Sequence, residues 1–252
     1  MNQKIAVVTG GSRGLGRSMA LHLAEHGTDV ILTYHSKEAE AREVVSLIEK
    51  KGRSATALRL DAGDTRSFGA FAGEVGSVLQ KKWGRKNFDF LINNAGIGAF
   101  APFTETTEEQ FDQLMNVHFK GVYFLTQKLL PILNDGGRIV NISSGLARFS
   151  FPGYSAYASM KGGIEVLTRY LAKELGPRKI SVNVIAPGAI ETDFGGGVVR
   201  DNAELNKQIA SLTALGRVGL PDDIGGAVSA LLSDEARWIT GQRIEVSGGM
   251  NL

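Results

Sequence analysis

Short apolar runs alternate along the whole chain with longer segments in which apolar residues recur at the spacing of a helix. The short runs predict buried strands, and the longer segments predict amphipathic helices. Such alternation is typical of β-α-β units around a parallel sheet. The predicted strands are 5–9, 29–34, 55–60, 88–93, 138–143, 180–186 and 243–246, and the predicted helices are 17–25, 38–50, 67–82, 108–133 and 155–175.

Several of the predicted strands are apolar on both faces, which indicates a parallel sheet that is covered on both sides. Because crossovers between parallel strands are right-handed, we expect the helices to lie on both faces. We therefore predict the α/β class, with one Rossmann-type doubly wound domain over residues 1–252 and a seven-stranded parallel sheet. The helix 108–133 is expected to break near Gly121.

Two segments depart from this alternation. Residues 81–86 are basic and contain a glycine, which predicts a solvated surface loop. Residues 187–219 are long and include Gly195-Gly-Gly197. Long loops in compact domains often cover a site, so we expect a flexible substrate lid around 189–215.

Composition limits the kinds of partner. The chain has 252 residues, 43% of them hydrophobic, and 28 Lys plus Arg against 26 Asp plus Glu give a formal charge of +2. This small charge argues against nucleic acid or an anionic membrane as the main partner and favours a small molecule. The chain has no cysteine, which excludes disulfides, thiolate nucleophiles and cysteine-bound metal.

The first residues run into an apolar strand and lack the features of a secretory signal. No apolar run reaches the length of a membrane span. We expect a cytoplasmic protein.

A glycine-rich segment, Thr9-Gly-Gly-Ser-Arg-Gly-Leu-Gly16, follows the first strand and opens the first helix. Glycines in this position let a phosphate approach the bare backbone, and the helix N-terminus favours the anion. The strand before it and the helix after it favour a dinucleotide site over a plain glycine-rich turn.

The end of the second strand indicates which dinucleotide binds. A carboxylate there would accept hydrogen bonds from ribose hydroxyls, whereas a 2′-phosphate requires cations and donors. This chain has Thr33-Tyr-His-Ser-Lys37, with no acid before Glu38 and with Arg13 in the glycine turn. The sequence therefore predicts NADP(H), although Lys37 could instead point to solvent.

Tyr157 and Lys161 stand about one helical turn apart, and Ser144 follows a buried strand upstream. A lysine ammonium close to a phenol is expected to lower the phenol pKa. The trio therefore predicts proton transfer at a carbonyl, and the alternative is an exposed helical pair with no chemistry. His22 and His26 share a helical face, but no third ligand is apparent, and we predict no metal site.

With these pieces in order, the chain resembles the short-chain dehydrogenase/reductase family, and in particular carbonyl reductases similar to 3-oxoacyl-carrier-protein reductase. The resemblance covers essentially the whole chain. It is carried by Thr9-Gly10 with Gly14 and Gly16, Asp61, Asn93-Asn-Ala-Gly96, Asn116, Ser144, Tyr157 with Lys161, and Pro187-Gly188 with Thr192.

The resemblance implies a role for each catalytic residue. Tyr157 would be the general acid or base, and Ser144 would hydrogen-bond the substrate oxygen. Lys161 would lower the phenol pKa and hold the nicotinamide ribose. Asn116 would support an ordered water leading to that lysine, and its alternative role is to interrupt a helix by bonding its own backbone.

The resemblance also implies the residues that bind the cofactor. They are Gly10, Ser12, Arg13, Gly14, Leu15, Gly16, His35, Ser36, Lys37, Asp61, Ala62, Asn93, Ala95, Gly96, Tyr157, Lys161, Pro187, Gly188, Ile190 and Thr192. Apolar and aromatic residues near the catalytic segment are expected to line a substrate pocket, namely Leu146, Phe149, Tyr154 and Phe194. Aromatic residues at such positions are about as often core.

The expected activity is an NADP-dependent interconversion of a ketone or aldehyde and an alcohol, and the family implies a homotetramer. One alternative is a 3-oxoacyl-carrier-protein reductase, against which the absence of basic residues at 133–136 argues weakly. The other is a regulator that senses NADP(H) without turnover.

Overall fold

A computed structural model describes residues 3–252, so the first two residues of the predicted domain lie outside the described range. Seven strands form one parallel sheet in the order β3-β2-β1-β4-β5-β6-β7. The strands are β1 Lys4–Val8, β2 Thr28–Tyr34, β3 Ala55–Arg59, β4 Phe88–Asn93, β5 Leu133–Ile142, β6 Ser181–Pro187 and β7 Arg243–Val246. The predicted fold class and all seven predicted strands are confirmed.

Helices cover both faces of the sheet. They are α1 Gly14–Glu25, α2 Glu38–Lys50, α3 Phe68–Trp83, α4 Glu108–Met115, α5 Gly121–Leu129, α6 Ser155–Leu175, α7 Val198–Asp201, α8 Ala203–Ser211 and α9 Pro221–Leu231. Neighbouring residues of β1 point to opposite faces, as they do in any strand. Ala6 and Val8 pack in the core that contains α1, α2 and α9, whereas Ile5 and Val7 pack in the core that contains α3 and α5.

The strand order reverses at β1, which pairs with β2 on one side and with β4 on the other. The crossovers therefore leave the sheet in opposite directions and open a crevice at the carboxyl ends of β1 and β4. The glycine turn that follows β1 and the segment that follows β4 meet at this crevice.

The long predicted helix 108–133 is interrupted next to Gly121, as expected. A π-helical turn, Asn116–Lys120, separates α4 from α5, and Gly121 is the first residue of α5. A 3₁₀ turn, Leu130–Ile132, ends the segment, and β5 begins at Leu133, five residues before the predicted start. Apolar spacing does not distinguish an α turn from a π turn, because both keep the same face buried.

Helix α9 was not predicted. It packs along α1, and a Cβ on Gly225 would collide with Ser18. Its capping is strong, with Pro221 at the first turn and the Asp223 carboxylate accepting the Leu220 N–H at 2.7 Å. The pair Gly225-Gly226 lowers the helix propensity of this segment and interrupts its apolar pattern, which is why the sequence did not predict a helix. The absence of side chains at these two residues also lets α9 pack closely against α1.

The segment 187–219 is more regular than predicted, because it contains a 3₁₀ turn and the helices α7 and α8. The basic segment 81–86 is partly helical, since α3 continues to Trp83 and ends on Gly84 in the left-handed region. Within residues 3–252, no helix combines the length and the hydropathy that crossing a membrane requires.

Candidate active site

A cleft of about 1180 Å³ lies at the carboxyl edge of the sheet. It runs from the glycine turn after β1 to the segment between β6 and α9. With one exception, every residue predicted to bind cofactor or substrate, or to act in catalysis, lines it. The exception is Asn93, which is buried beneath the cleft and donates through Nδ2 to Thr126 and Asn141.

The neighbouring Asn94, which was not among the predicted site residues, holds the glycine turn in place. Its Nδ2 donates to the carbonyls of Thr9 at 2.9 Å and Gly10 at 3.2 Å. In return, Thr9 Oγ1 accepts the N–H groups of Asn94 and Ala95, each at 2.9 Å. Two loops that follow different strands are therefore locked together at the floor of the cleft, and Asn94 could have been found because it stands inside the predicted motif.

The glycine turn has the geometry of a phosphate cradle. Gly10 and Gly14 have φ angles of 64° and 54°, in the left-handed region that favours glycine. A Cβ on Gly16 would collide with the carbonyl oxygen of Gly10, and the bare backbone instead faces the cleft. These features fit a dinucleotide, whose pyrophosphate would lie at the N-terminus of α1.

Basic side chains lie at the end of β2, where the adenosine ribose of a dinucleotide would lie. His35 Nε2 lies 3.6 Å from Asp61 Oδ2, and both side chains are more than half exposed. Lys37 Nζ lies 3.8 Å from Glu40 Oε1. Ser36 and Ala62 line the same end, and Arg13 lies across it, 3.9 Å from Asp193 of the lid.

At the other end of the cleft, α6 places Tyr157 and Lys161 on one buried face, 9% and 5% exposed. Lys161 Nζ donates to the carbonyl of Ile142 at 2.8 Å and lies 5.5 Å from the centre of the Tyr157 ring. Ser144 follows β5 and faces the phenol, and its Oγ accepts the N–H of Leu146 at 3.2 Å. The expectation that these two side chains are an exposed helical pair is therefore wrong.

Burial dominates the protonation of this trio. It raises the pKa of Tyr157 above its ordinary value, and the hydrogen bond from Ser144 opposes that rise. Burial also lowers the pKa of the Lys161 ammonium to about 7. The predicted lowering of the phenol pKa is thus not seen, because Lys161 is desolvated together with Tyr157 and is itself partly neutral near pH 7. Tyr157 consequently keeps its proton at neutral pH.

Ser143, which precedes Ser144, points away from the cleft. Its Oγ donates to Glu165 Oε1 at 2.7 Å. Glu165 also accepts from Arg243, which in turn pairs with Glu245, and Arg148 binds both oxygens of Glu245 at 2.8 Å. This chain of charges fixes the loop that carries Ser144.

Asn116 lines the cleft, and its predicted support of an ordered water stays a prediction. Its carbonyl accepts the N–H of Gly121 within the π-helical turn, and its side chain lies towards Gly63. No hydrogen bond among the described residues joins Asn116 to Ser144, Tyr157 or Lys161. The residue of this turn that reaches the trio is His118, whose ring centre lies 5.1 Å from that of Tyr157.

Aromatic and aliphatic side chains surround the phenol on the substrate side. Phe194 of the lid contacts Tyr157, with ring centres 5.9 Å apart, and Phe149 packs edge-on against Phe151. Leu146 and Tyr154 complete the wall predicted from the sequence, and the lid adds residues that were not predicted, namely Val198, Val199, Leu205, Ile209 and Leu212.

The segment after β6 lies between the trio and the glycine turn. Gly188 donates its N–H to the carbonyl of Val246, and a Cβ there would lie 2.9 Å from the Cα of Ser247. Ile190 forms a parallel bridge with Gly219, and Pro187 ends β6. Thr192 approaches Gly14, so the two loops enclose the middle of the cleft.

Elsewhere in residues 3–252, no group of three or more histidine, aspartate or glutamate side chains is arranged to hold a metal ion. His22 lies 3.6 Å from Asp222, and His26 contacts Ser229, so both histidines serve the packing of α1 against α9.

Comparison with known proteins agrees with this geometry. A family model described as enoyl-(acyl carrier protein) reductase matches residues 10–251. The chain belongs to the short-chain dehydrogenase/reductase family. The members of this family are oxidoreductases that use nicotinamide cofactors.

Three relatives of this short-chain dehydrogenase/reductase extend over nearly its whole length. An uncharacterised oxidoreductase of Methylorubrum extorquens is 39% identical over 247 residues, which are 98% of this chain and 97% of the relative. The promiscuous reductase LugOII, which catalyses keto-reduction at C1 during lugdunomycin biosynthesis, superposes with a TM-score of 0.94 at 39% identity, covering 99% of this chain and 98% of LugOII. The angucycline C-6 ketoreductase LanV with bound NADP superposes with a TM-score of 0.93 at 36% identity, covering 98% of this chain and 95% of LanV.

Proposed function

We propose that this protein is an NADPH-dependent carbonyl reductase that converts a ketone or aldehyde to an alcohol, with Tyr157 as the general acid. The observation that carries the proposal is geometric: the buried phenol of Tyr157 contacts Ser144, lies beside Lys161 and faces a cleft with a glycine cradle at its far end. A tyrosine holds its proton near neutral pH in any case, so what this site adds is the position of that proton beside Ser144 and Lys161.

The side chains divide the work. Bound NADPH supplies the hydride. The Ser144 hydroxyl donates a hydrogen bond to the carbonyl oxygen as negative charge develops, and the Tyr157 phenol transfers its proton to that oxygen. Lys161, anchored on the carbonyl of Ile142, then stabilises the phenolate. In the oxidative direction the same phenolate would act as the base.

The preference for NADPH over NADH is supported by charge at the end of β2. Arg13, His35 and Lys37 line this part of the cleft, and the acids beside them, Asp193, Asp61 and Glu40, lie 3.6–3.9 Å from these side chains. A 2′-phosphate would gain charge-assisted hydrogen bonds from Arg13 and Lys37. The relative LanV binds NADP, which agrees with this proposal.

An apolar aromatic ketone is the substrate class that the pocket favours. Aromatic rings and aliphatic side chains surround Tyr157, and in the described residues no cation lies among Leu146, Phe149, Tyr154 and Phe194 to bind an anionic carrier. Two structural relatives are ketoreductases by their published descriptions, LugOII and LanV. A carrier-bound 3-oxoacyl group is therefore less well supported as a substrate than a free ketone.

The test is an absorbance assay of NADPH consumption with a panel of aromatic ketones and aldehydes, for the wild type and for Tyr157→Phe. We expect Tyr157→Phe to lower turnover by at least about a hundredfold, because general acid catalysis contributes at least that much. Affinity for NADPH, measured by fluorescence titration, should stay nearly the same. Tyr170→Phe is the matched control, since Tyr170 lies on α6 but is 64% exposed.

Unaltered turnover in Tyr157→Phe would refute the assignment of the general acid. A wild-type protein that binds NADPH but reduces no compound in the panel would support the NADP(H)-sensing regulator. Equal or tighter binding of NADH in the same titration would contradict the cofactor preference.

A further inference from the structure

His118 is a buried polar residue at the active site that the mechanism above does not use. It lies in the middle of the π-helical turn and is 1% exposed. One ring nitrogen, Nδ1, has no hydrogen-bond partner in the part of the chain that the structure describes. Leaving a buried polar atom unpaired destabilises the folded protein, so the presence of this histidine calls for a compensating role.

The other ring nitrogen fixes the tautomer. Nε2 lies 2.7 Å from the carbonyl oxygen of Ile97 and 3.2 Å from its amide nitrogen. The shorter contact assigns the proton to Nε2, which donates to the carbonyl and leaves Nδ1 without a proton. Burial and the nearby charge of Lys161 lower the pKa of His118 to about 3, so the ring is neutral at every pH at which the protein would work.

The His118 ring also accounts for the absence of a side chain at Gly96. A Cβ on Gly96 would lie 2.7 Å from Cε1 of His118, closer than real Cβ atoms approach another atom. Gly96 has no positive φ angle, so its backbone conformation is open to other residues. The close approach of the imidazole is therefore what excludes a side chain at Gly96.

Finally, the imidazole supports the catalytic phenol. Its ring meets the Tyr157 ring at 87° with centres 5.1 Å apart, an edge-to-face arrangement. Phe194 of the lid contacts Tyr157 as well. The phenol is thus held between a neutral ring from the π-helical turn and an apolar ring from the lid.

We propose that His118 is a positioning residue for Tyr157. Through Nε2 it bonds the segment after β4 to the π-helical turn. Its ring excludes water from one side of the phenol and keeps the phenol directed at Ser144. This inference rests on the proposed function of Tyr157 as the general acid.

The test compares His118→Ala, which removes both contacts, with His118→Phe, which keeps a ring of similar size but cannot bond Ile97. We expect His118→Ala to lower kcat by about tenfold or more, because small misplacements of a reacting group cost about that much. KM for the ketone and affinity for NADPH should change by less than about threefold, since neither variant touches the glycine turn. His26→Ala is the control, because His26 is an exposed histidine remote from the cleft.

The pH profile separates positioning from a loss of stability. Removing the ring admits water beside the phenol, so its pKa should fall towards the ordinary value of about 10. The alkaline limb of kcat/KM should therefore move to lower pH in His118→Ala but not in His118→Phe. The other titratable groups near the phenol are Lys161 and Tyr154, and both variants leave them unchanged.

A double-mutant cycle with Gly96→Ala provides a second measurement if His118→Ala folds poorly. Gly96→Ala should be harmful alone and much less so together with His118→Ala, because the clash then disappears. Additive effects, or a His118→Ala protein with the kcat and pH profile of the wild type, would overturn the proposal. Loss of activity in every protein, the wild type included, would instead count against the proposed function.

Discussion

The two ends of the cleft use glycine in opposite ways. At the cradle after β1, Gly16 is packed so closely that a Cβ would collide with Gly10. In the lid, Gly195 and Gly196 have φ angles of 62° and 79°, and a Cβ on either would meet nothing within 4 Å. Gly16 is required because there is no space for a side chain, whereas Gly195 and Gly196 are required because their backbone is in the left-handed region.

The difference indicates how each end binds its ligand. A cradle in which backbone contacts backbone is preformed and presents N–H groups to a phosphate without rearrangement. Glycines in open space have alternative conformations at little cost, which would suit an end that admits a substrate and then closes over it. Under the proposed function, rigid cofactor binding and adaptable substrate binding would be combined in one cavity.

The largest effect should follow from filling the cradle. We expect Gly16→Ala to lower the free energy of unfolding by about 3 kcal/mol, as overpacking a tight site does. It should also weaken NADPH binding at least tenfold, since the turn and Asn94 must both shift. Chemical denaturation and fluorescence titration measure the two quantities.

The matched control is Gly73→Ala on the exposed side of α3, where a Cβ would meet nothing within 4 Å. That substitution should raise stability by about 0.5–1 kcal/mol through helix propensity. Wild-type NADPH binding by Gly16→Ala would remove the distinction between the two ends.

A smaller effect is expected from stiffening the lid. The double variant Gly195→Ala/Gly196→Ala has space for both methyl groups, but each alanine would hold a left-handed conformation at a cost of about 1–2 kcal/mol. We expect kcat/KM for the ketone to fall by about tenfold and the melting temperature to fall by several degrees, while NADPH affinity stays nearly constant. If NADPH affinity falls as much as kcat/KM, the lid and the cradle are not independent.

The smallest effect concerns the charges that hold the Ser144 loop. Arg148 and, less strongly, Arg243 lower the pKa of Glu245 to about 2. A carboxyl whose pKa is lower in the folded protein stabilises it above its ordinary pKa, and that contribution is lost as the pH falls towards about 2. Glu245→Gln should therefore unfold more easily at pH 7, by about 1–2 kcal/mol, and the difference should shrink below about pH 4.

Urea denaturation of both proteins at several pH values measures this dependence. A difference that stays constant from pH 7 to the acid range would mean that the carboxylate charge is not what holds the loop. The cradle, which contains no paired carboxylate, should respond little to the same change of pH.

Much of the fold was accessible from the sequence because apolar runs and glycine positions report burial and turns directly. The seven strands and the glycine turn followed from such local patterns. Helix α9 could not be predicted in this way. Gly225 is needed there because of its contact with Ser18 on α1, which is distant in the sequence. The helix α8 inside the predicted lid segment was equally hidden by its mixed composition.

The candidate site shows the same limit. The positions of Ser144, Tyr157 and Lys161 could be found from spacing, but the direction of the phenol pKa could not, because burial is a property of the whole assembly. His118 was not predicted because which side chain of a π turn reaches the phenol depends on packing, and Asn93 and Asn94 differ in the partners that their side chains bond. Side-chain direction at irregular backbone is set by tertiary contacts.

The π turn between α4 and α5 makes the number of residues in this segment important for the geometry of the site. A π turn holds one residue more than an α turn, so deleting a single residue between Asn116 and Gly121 would let it close as a regular α turn and would displace His118 from its place in the bulge. The imidazole would then face away from the phenol although no functional side chain had been replaced. Insertions and deletions in this short segment should therefore be tolerated far less than substitutions on its solvent side.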